Sequence, residues 1–204
     1  MTGTERSKAA VGVAEQGNSA TLITVGPEGE ILDRRHVVLT EGLPTHPHHH
    51  EGSWAVGRYL STPGARAISL EEAVALVELV RSSAEEGARR SLKALAASVS
   101  LPVASIAIRQ CPALPPTIAE RIADPRAQTM ADSALYRTAL ADAAVARGWS
   151  VFWYDRDRVF LDAAESLGCT DFTPVLDAMK QSVGPPWQAK HKLAAAAAIA
   201  AMMR

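Results

Sequence analysis

The sequence predicts an α/β fold with a mixed sheet, in which an antiparallel meander of three strands precedes elements in the order α-β-α-β-α. Three short apolar segments separated by tight turns fill the first forty residues, a pattern typical of antiparallel strands. Beyond them, long helical patterns alternate with short apolar runs. Such strand-helix-strand crossovers imply parallel pairing of the later strands.

The meander is predicted over residues 8–16, 19–25 and 30–39. Gly17-Asn18 forms the first turn. In the second turn Pro27 fixes φ and Gly29 supplies a positive φ.

The later elements are predicted from helical periodicity and from the residues that begin or end each helix. Ser69 and Glu72 form a capping box that opens a helix over 69–99, and Gly87 marks a potential break within it. The apolar runs 103–108 and 150–155 are too short for helices and fit buried strands. Residues 112–128 are predicted as a proline-punctuated connection, and the remaining predicted helices span 130–149, 170–184 and 187–204.

The composition is that of an ordinary globular protein, with 204 residues, 48% hydrophobic and 21% charged. We expect a single domain over 1–204 with a histidine-rich loop insertion at about 40–63. Cys111 and Cys169 are too few for a disulfide framework and predict a cytoplasmic protein with reduced thiols. The start lacks a signal-peptide pattern, and the apolar run 193–203 falls short of the roughly 20 residues that cross a bilayer. No membrane partner is therefore expected.

The segments AAVGVAEQG, GPEGEILDRR and AKHKLAAAAAIAAM together resemble the ribonuclease H-like superfamily, which includes Holliday-junction resolvases of the RuvC kind. AAVGVAEQG resembles the opening hydrophobic-Gly-Ile-Asp-Pro-Gly of that family, and GPEGEILDRR resembles the turn and third strand of its meander. AKHKLAAAAAIAAM resembles its Ala-rich closing helix. The resemblance spans about residues 8–203. It implies phosphodiester hydrolysis with two Mg²⁺ or Mn²⁺ ions held by carboxylates.

The first strand departs from the family pattern, because the expected aspartate falls on Ala14, beside Glu15. Neighbouring side chains on a strand point to opposite faces, so Glu15 replaces that aspartate only through a bulge. The carboxylate expected on the strand after the first long helix falls near Arg109, a cation that would repel a metal ion.

The last helix departs as well. His191 matches a position where some resolvases carry histidine, but the aspartate one turn on becomes Ala194 or Ala195, and Lys190 adds another cation. We therefore expect a degenerate or rearranged two-metal site, with Glu15 and His191 as the remaining candidates for catalysis.

The segment THPHHHEG holds four of the six histidines. His46, His48 and His50 alternate, so in an extended segment they would share one side, and Glu51 could add an oxygen. Imidazole suits Zn²⁺, which makes these four residues candidate metal ligands. Adventitious metal binding and a solvated or interface loop remain alternatives.

A net charge of −1 gives no global basic field, so nucleic-acid binding would need a local patch. The candidate patch consists of Arg89, Arg90, Lys93, Arg109 and Lys190. Alternatively, Arg89, Arg90 and Lys93 form only a solvated helix face.

Three functions stay open. The first is a nucleic-acid-associated protein with a degenerate or rearranged nuclease site, the second an active metal-dependent nuclease, and the third a metal- or small-molecule-binding protein that uses the histidine loop. The cofactor would be Mg²⁺, Mn²⁺ or Zn²⁺, or none. Nucleic acid is the expected partner, and a homodimer is left open.

Overall fold

The computed structural model describes residues 8–49 and 68–202. Its elements, in chain order, are β1 (Ala9–Gln16), β2 (Ser19–Val25), β3 (Ile31–Val38), α1 (Leu70–Ser98), β4 (Val103–Arg109), α2 (Ile118–Ala123), α3 (Ala127–Val145), β5 (Ser150–Tyr154), α4 (Val159–Ser166), α5 (Thr173–Val183) and α6 (Ala189–Met202).

The strands form one mixed sheet in the order β3-β2-β1-β4-β5. β1 pairs antiparallel with β2, and β2 pairs antiparallel with β3. β4 pairs in parallel with β1 and with β5. The predicted meander and the predicted parallel strands are both confirmed, and the carboxyl ends of β1, β4 and β5 lie at the same edge.

Helices cover both faces of this sheet. Alternate residues of β1 point to opposite faces, and Ala10 and Ala14 accordingly pack into a core with α4, α5 and α6. Val11 and Val13 pack into a second core with α1 and α3. The two faces of β1 therefore meet different helices, which decides where each candidate side chain can point.

α6 lies directly on β1 at Gly12. A Cβ atom added to Gly12 would lie 1.8 Å from the Ala194 carbonyl oxygen and 2.6 Å from the Ala198 nitrogen. The alanines from 194 to 198 are all fully buried. Small side chains on both elements thus bring the helix backbone against the strand backbone.

Two predictions about the helices were wrong, and one helix was not predicted. α1 continues without a break through Gly87, where the missing side chain lets Leu39 approach; an added Cβ would lie 2.0 Å from the Leu39 carbonyl oxygen. The connection after β4 contains α2, opened by a capping box between Thr117 and Glu120. No helix was predicted between β5 and residue 170, where the structure has α4, which buries Val159 in the core.

Among the described residues, no helix is both long and apolar enough to cross a membrane. Cys111 and Cys169 are both free thiols and are partly buried.

Candidate functional site

A cleft of about 400 Å³ opens where the carboxyl ends of β1 and β4 meet the first turns of α4 and α6. The parallel strands β1 and β4 end side by side here, and α6 crosses over them because of its contact with Gly12. This is the edge where the sequence resemblance places metal ligands. The charged residues that line the cleft are Glu15, Arg109, Arg156, Asp157, Lys190 and Lys192.

Glu15 forms an ion pair with Arg137 of α3. The Arg137 Nε donates to the Glu15 Oε1 at 2.8 Å, and the Arg137 Nη2 contacts the same oxygen. The Arg137 Nη1 donates to the Gln110 carbonyl oxygen at 2.8 Å. The two charged side chains are only 5% and 10% exposed. The pairing draws the Glu15 carboxylate toward α3, on the side of β1 where Val11 and Val13 point.

The neighbouring face of β1 carries no carboxylate at the expected position. Ala14 is 3% exposed and packs in the core beneath α6. Ala194 and Ala195, at the corresponding position of the last helix, are fully buried. These positions therefore present methyl groups where the family resemblance expects carboxylates.

His191 caps the helix to which it belongs. Its Nδ1 lies 2.9 Å from the Gln188 backbone nitrogen, which donates to it. Because a backbone N–H can only donate, the neutral imidazole holds its proton on Nε2. The ring also stacks on Trp187, with 5.9 Å between centroids. Neither ring nitrogen of the neutral form then offers an uncommitted lone pair to a metal ion.

The environment of His191 keeps this ring neutral. Burial lowers the pKa of His191, and the nearby charges of Arg34 and Lys190 lower it further. His191 as a whole is 6% exposed. A neutral capping histidine agrees with the hydrogen bond that its Nδ1 accepts.

The structure brings Arg109 and Lys190 together with Arg156 and Lys192 at the cleft. Arg109 ends β4, Arg156 follows β5, and the lysines sit in the first turn of α6. The carboxylates in the cleft are Glu15, already paired with Arg137, and Asp157. Cations therefore dominate the local charge.

Arg89, Arg90 and Lys93 lie elsewhere. All three are exposed in the second half of α1, which leads through a short connection to the amino end of β4. None of them lines the cleft. The five cations predicted as one patch thus divide into a pair at the carboxyl edge and a separate group on α1.

The histidine loop is anchored to α3 through Asp132. The His48 backbone N–H donates to the Asp132 Oδ1 at 2.9 Å, and the His48 Nδ1 lies 2.8 Å from the same oxygen. The His46 Nδ1 lies 3.7 Å from the Asp132 Oδ2. His48 and Asp132 are both almost fully buried. His50 and Glu51 lie outside the described residues.

Two further contacts continue the same attachment along α3. The Tyr136 hydroxyl donates to the Thr45 carbonyl oxygen at 2.9 Å, and the His49 Nδ1 lies 3.1 Å from the Gln128 Oε1. Gln128, Asp132 and Tyr136 are four residues apart and share one helix face. His191 lies on the opposite face of the sheet and does not join this group.

Arg137 and Asp132 are the functional neighbours that sequence reasoning missed. A signal existed, because polar residues recur every four positions in an otherwise alanine-rich helix over 127–145. Such a stripe predicts buried polar partners from elsewhere in the chain. Across the described ranges, no cluster of three or more His, Cys, Asp or Glu side chains has an arrangement suited to a metal ion.

No protein-family model matches the sequence, and no curated protein matches it. The structure is similar to Thermus thermophilus RuvC in complex with a Holliday junction substrate, with a TM-score of 0.52 and 12% identity, covering 96% of this chain and 93% of that one. A second Thermus thermophilus RuvC structure gives a TM-score of 0.47 and 13% identity, over 95% and 93% of the two chains. The first similarity confirms the ribonuclease H-like fold.

Proposed function

We propose that the chain is a non-catalytic nucleic-acid-binding protein, in which a cation-lined cleft stands at the place of a two-metal nuclease site. One observation carries the proposal. Arg109 and Lys190 line the cleft where the family resemblance expects metal-binding carboxylates, while Glu15 is held by Arg137.

The residues at this edge do not fit two divalent metal ions. Mg²⁺ and Mn²⁺ require several oxygen ligands, preferably charged. The candidate positions instead present the methyl group of Ala14, the guanidinium of Arg109 and a capping histidine, His191. Repulsion by the surrounding cations opposes a metal ion further.

The same residues fit a phosphodiester group. Arginine presents parallel N–H donors that match phosphate oxygens, and lysine adds a compact positive charge. The Arg109, Arg156, Lys190 and Lys192 side chains converge from three different segments on one cleft. Contacts to phosphate supply sequence-independent affinity that falls as salt rises.

The test measures binding of a fluorescent DNA strand in excess chelator, for the wild type and for the double variant Lys190→Glu/Lys192→Glu. We expect the variant to bind at least about tenfold more weakly, with a shallower dependence on salt. The matched control is Arg89→Glu/Arg90→Glu, which makes the same change in charge on α1 and should keep the wild-type affinity.

Either of two results would contradict the proposal. Equal loss in both variants would mean that only net charge matters. Loss confined to the α1 variant would place the nucleic acid on the patch of Arg89, Arg90 and Lys93 instead.

An active nuclease is the alternative that uses Glu15 and His191 as catalytic residues. It requires the Glu15 carboxylate to leave Arg137 and the His191 Nδ1 to leave the Gln188 amide. Arg137 is buried, so release of Glu15 leaves an unpaired guanidinium in the interior and costs free energy.

A second candidate function is transition-metal binding by the histidine loop, with His46 and His48, and His50 and Glu51 from the undescribed segment, as ligands. One observation favours it. Asp132 holds the Nδ1 of His48, as carboxylates hold metal-binding histidines, and within the described part of the chain the buried Nε2 has no hydrogen-bond partner.

Equilibrium dialysis against Zn²⁺ tests this second candidate. Stoichiometric zinc that is lost in His48→Ala and retained in His36→Ala, an exposed histidine of β3, would support it. Equal zinc retention in both variants would contradict it.

A further inference from the structure

A second cleft of about 410 Å³ continues the first one across the sheet edge. The two clefts share Arg109, Arg156 and Asp157. The second is bounded on its far side by Arg137 and Met130 of α3. Together the clefts form a groove that runs from α6, past the ends of β4 and β5, to α3.

The charge of this groove is positive. Its cations are Arg109, Arg137, Arg156, Lys190 and Lys192, and its carboxylates are Glu15, Asp155 and Asp157. The Glu15 carboxylate is neutralised by Arg137. Arg109 and Arg156 are balanced by Asp155 and Asp157, so the surplus of positive charge lies at the α6 end, on Lys190 and Lys192. This end of the groove suits the phosphates of a nucleic-acid backbone.

One aromatic ring lies within the cationic part of the groove. Phe160, in the first turn of α4, lines the cleft with Lys190 and Lys192 and is 39% exposed. Exposure of this much apolar ring among charged groups gives no packing benefit to the fold. The neighbouring Leu161 is more exposed, at 59%, but does not line the cleft.

We propose that Phe160 stacks on an unpaired base and that the groove prefers single-stranded nucleic acid to duplex. This inference rests on the proposed function and names the ligand class of the same site. In a duplex each base face is covered by its neighbours, so an aromatic side chain can stack only on a base that is unstacked. Cations that follow the backbone and an aromatic ring that takes a base are the recurring parts of single-strand binding sites.

Phe160→Ala should weaken binding of a single-stranded oligonucleotide by roughly tenfold and leave binding of a hairpin duplex unchanged. Phe160→Trp keeps an aromatic face and should retain the wild-type affinity. Leu161→Ala is the matched control on the same helix and should behave as the wild type. Circular dichroism checks that all variants stay folded, as expected for substitutions of exposed side chains.

An oligonucleotide with abasic sites throughout separates stacking from phosphate contact. It should bind more weakly than the normal strand, and Phe160→Ala should not weaken it further. If the abasic and normal strands bind equally, or if wild-type protein binds duplex at least as tightly as single strand, the stacking inference is wrong while phosphate binding stands. If no strand of any kind binds, the proposed function fails and the inference fails with it.

Discussion

The two helices that pack on opposite faces of β1 differ in the side chains through which they make their contacts. α6 contacts the strand through alanine and glycine, with every residue from 194 to 201 buried. α3 contacts the rest of the chain through buried polar side chains, including Gln128, Asp132 and Arg137. The first helix presents methyl groups where the resemblance expects carboxylates, and the second pairs Arg137 with Glu15 and Asp132 with His48.

This difference explains why the candidate acidic and histidine residues are paired within the fold, whereas the candidate cations line the cleft without such a partner helix. Glu15 and His48 are both held by α3, through Arg137 and Asp132. Arg109 ends β4 and Lys190 lies in the first turn of α6, and both line the cleft. Arginine and lysine therefore predominate at this edge of the sheet.

The largest effect on the free energy of unfolding is expected where α6 contacts β1. Gly12→Ala places a methyl group against the Ala194 carbonyl oxygen, so α6 must move, and we expect the free energy of unfolding to fall by at least about 3 kcal/mol. Gly26→Ala is the control, because its added methyl group meets only the flexible Glu30 carboxylate. Urea denaturation of both variants measures the difference; equal losses would mean that the close approach of α6 is not a stability constraint.

Removal of the Arg137 guanidinium tests how much the buried polar contacts of α3 contribute to stability. Arg137→Met leaves the Glu15 carboxylate part-buried and unpaired, and the expected loss is about 2 to 3 kcal/mol. In the control Arg158→Met, the lost partner is Asp162, and the Arg158 side chain is 61% exposed, so the loss should stay below about 0.5 kcal/mol. Thermal denaturation compares them. A small loss in Arg137→Met would show that Glu15 is not committed to this pair.

A smaller effect is expected at the anchor of the histidine loop. Asp132→Ala removes the acceptor for the His48 ring and backbone N–H groups, and we expect a loss of about 1.5 kcal/mol. Hydrogen exchange of the amides from 45 to 49 should accelerate as the loop detaches. Asp142→Ala, an exposed acid on the same helix, should change neither quantity. Unchanged exchange in Asp132→Ala would mean that the carboxylate does not hold the loop.

The smallest expected effect is on the pH dependence of stability. Because the pKa of His191 is lowered in the folded protein, the unfolded chain binds more protons below the ordinary histidine pKa of 6.5. Stability from this group is therefore complete above that pH and declines as the pH falls toward the lower, folded value. His191→Asn keeps an acceptor for the Gln188 amide and should show a shallower decline between pH 7 and 5. An unaltered pH profile would contradict the role of His191 as a neutral cap.

Much of the fold was predictable because its signals are local. The turns at Gly17-Asn18 and Gly29, the capping box at Ser69, and the short apolar runs mark strands and helices directly. α4 was missed because its eight residues follow an acidic stretch and carry no capping side chain. Gly87 was misinterpreted because helix propensity counts the cost of glycine but not the approach of Leu39.

The site was less predictable because its partners are distant in sequence. Glu15 and Arg137 are 122 positions apart, and His48 and Asp132 are 84 apart. From the sequence alone, Ala14, Arg109 and Ala194 could be recognised as departures from the metal-binding pattern of the family. Only the folded chain reveals that the remaining candidates are occupied by α3 and by the first turn of α6.

The most direct test of the central claim is a cleavage assay with Mg²⁺, Mn²⁺ or Zn²⁺ against chelator. Labelled duplex, branched and RNA–DNA hybrid substrates are incubated with the wild type, Glu15→Gln and His191→Asn, and the products are separated by length. A cleft held by cations, with Glu15 paired to Arg137, predicts intact substrates under every metal. Metal-dependent products from the wild type that disappear in Glu15→Gln would contradict this assignment and make Glu15 a catalytic residue.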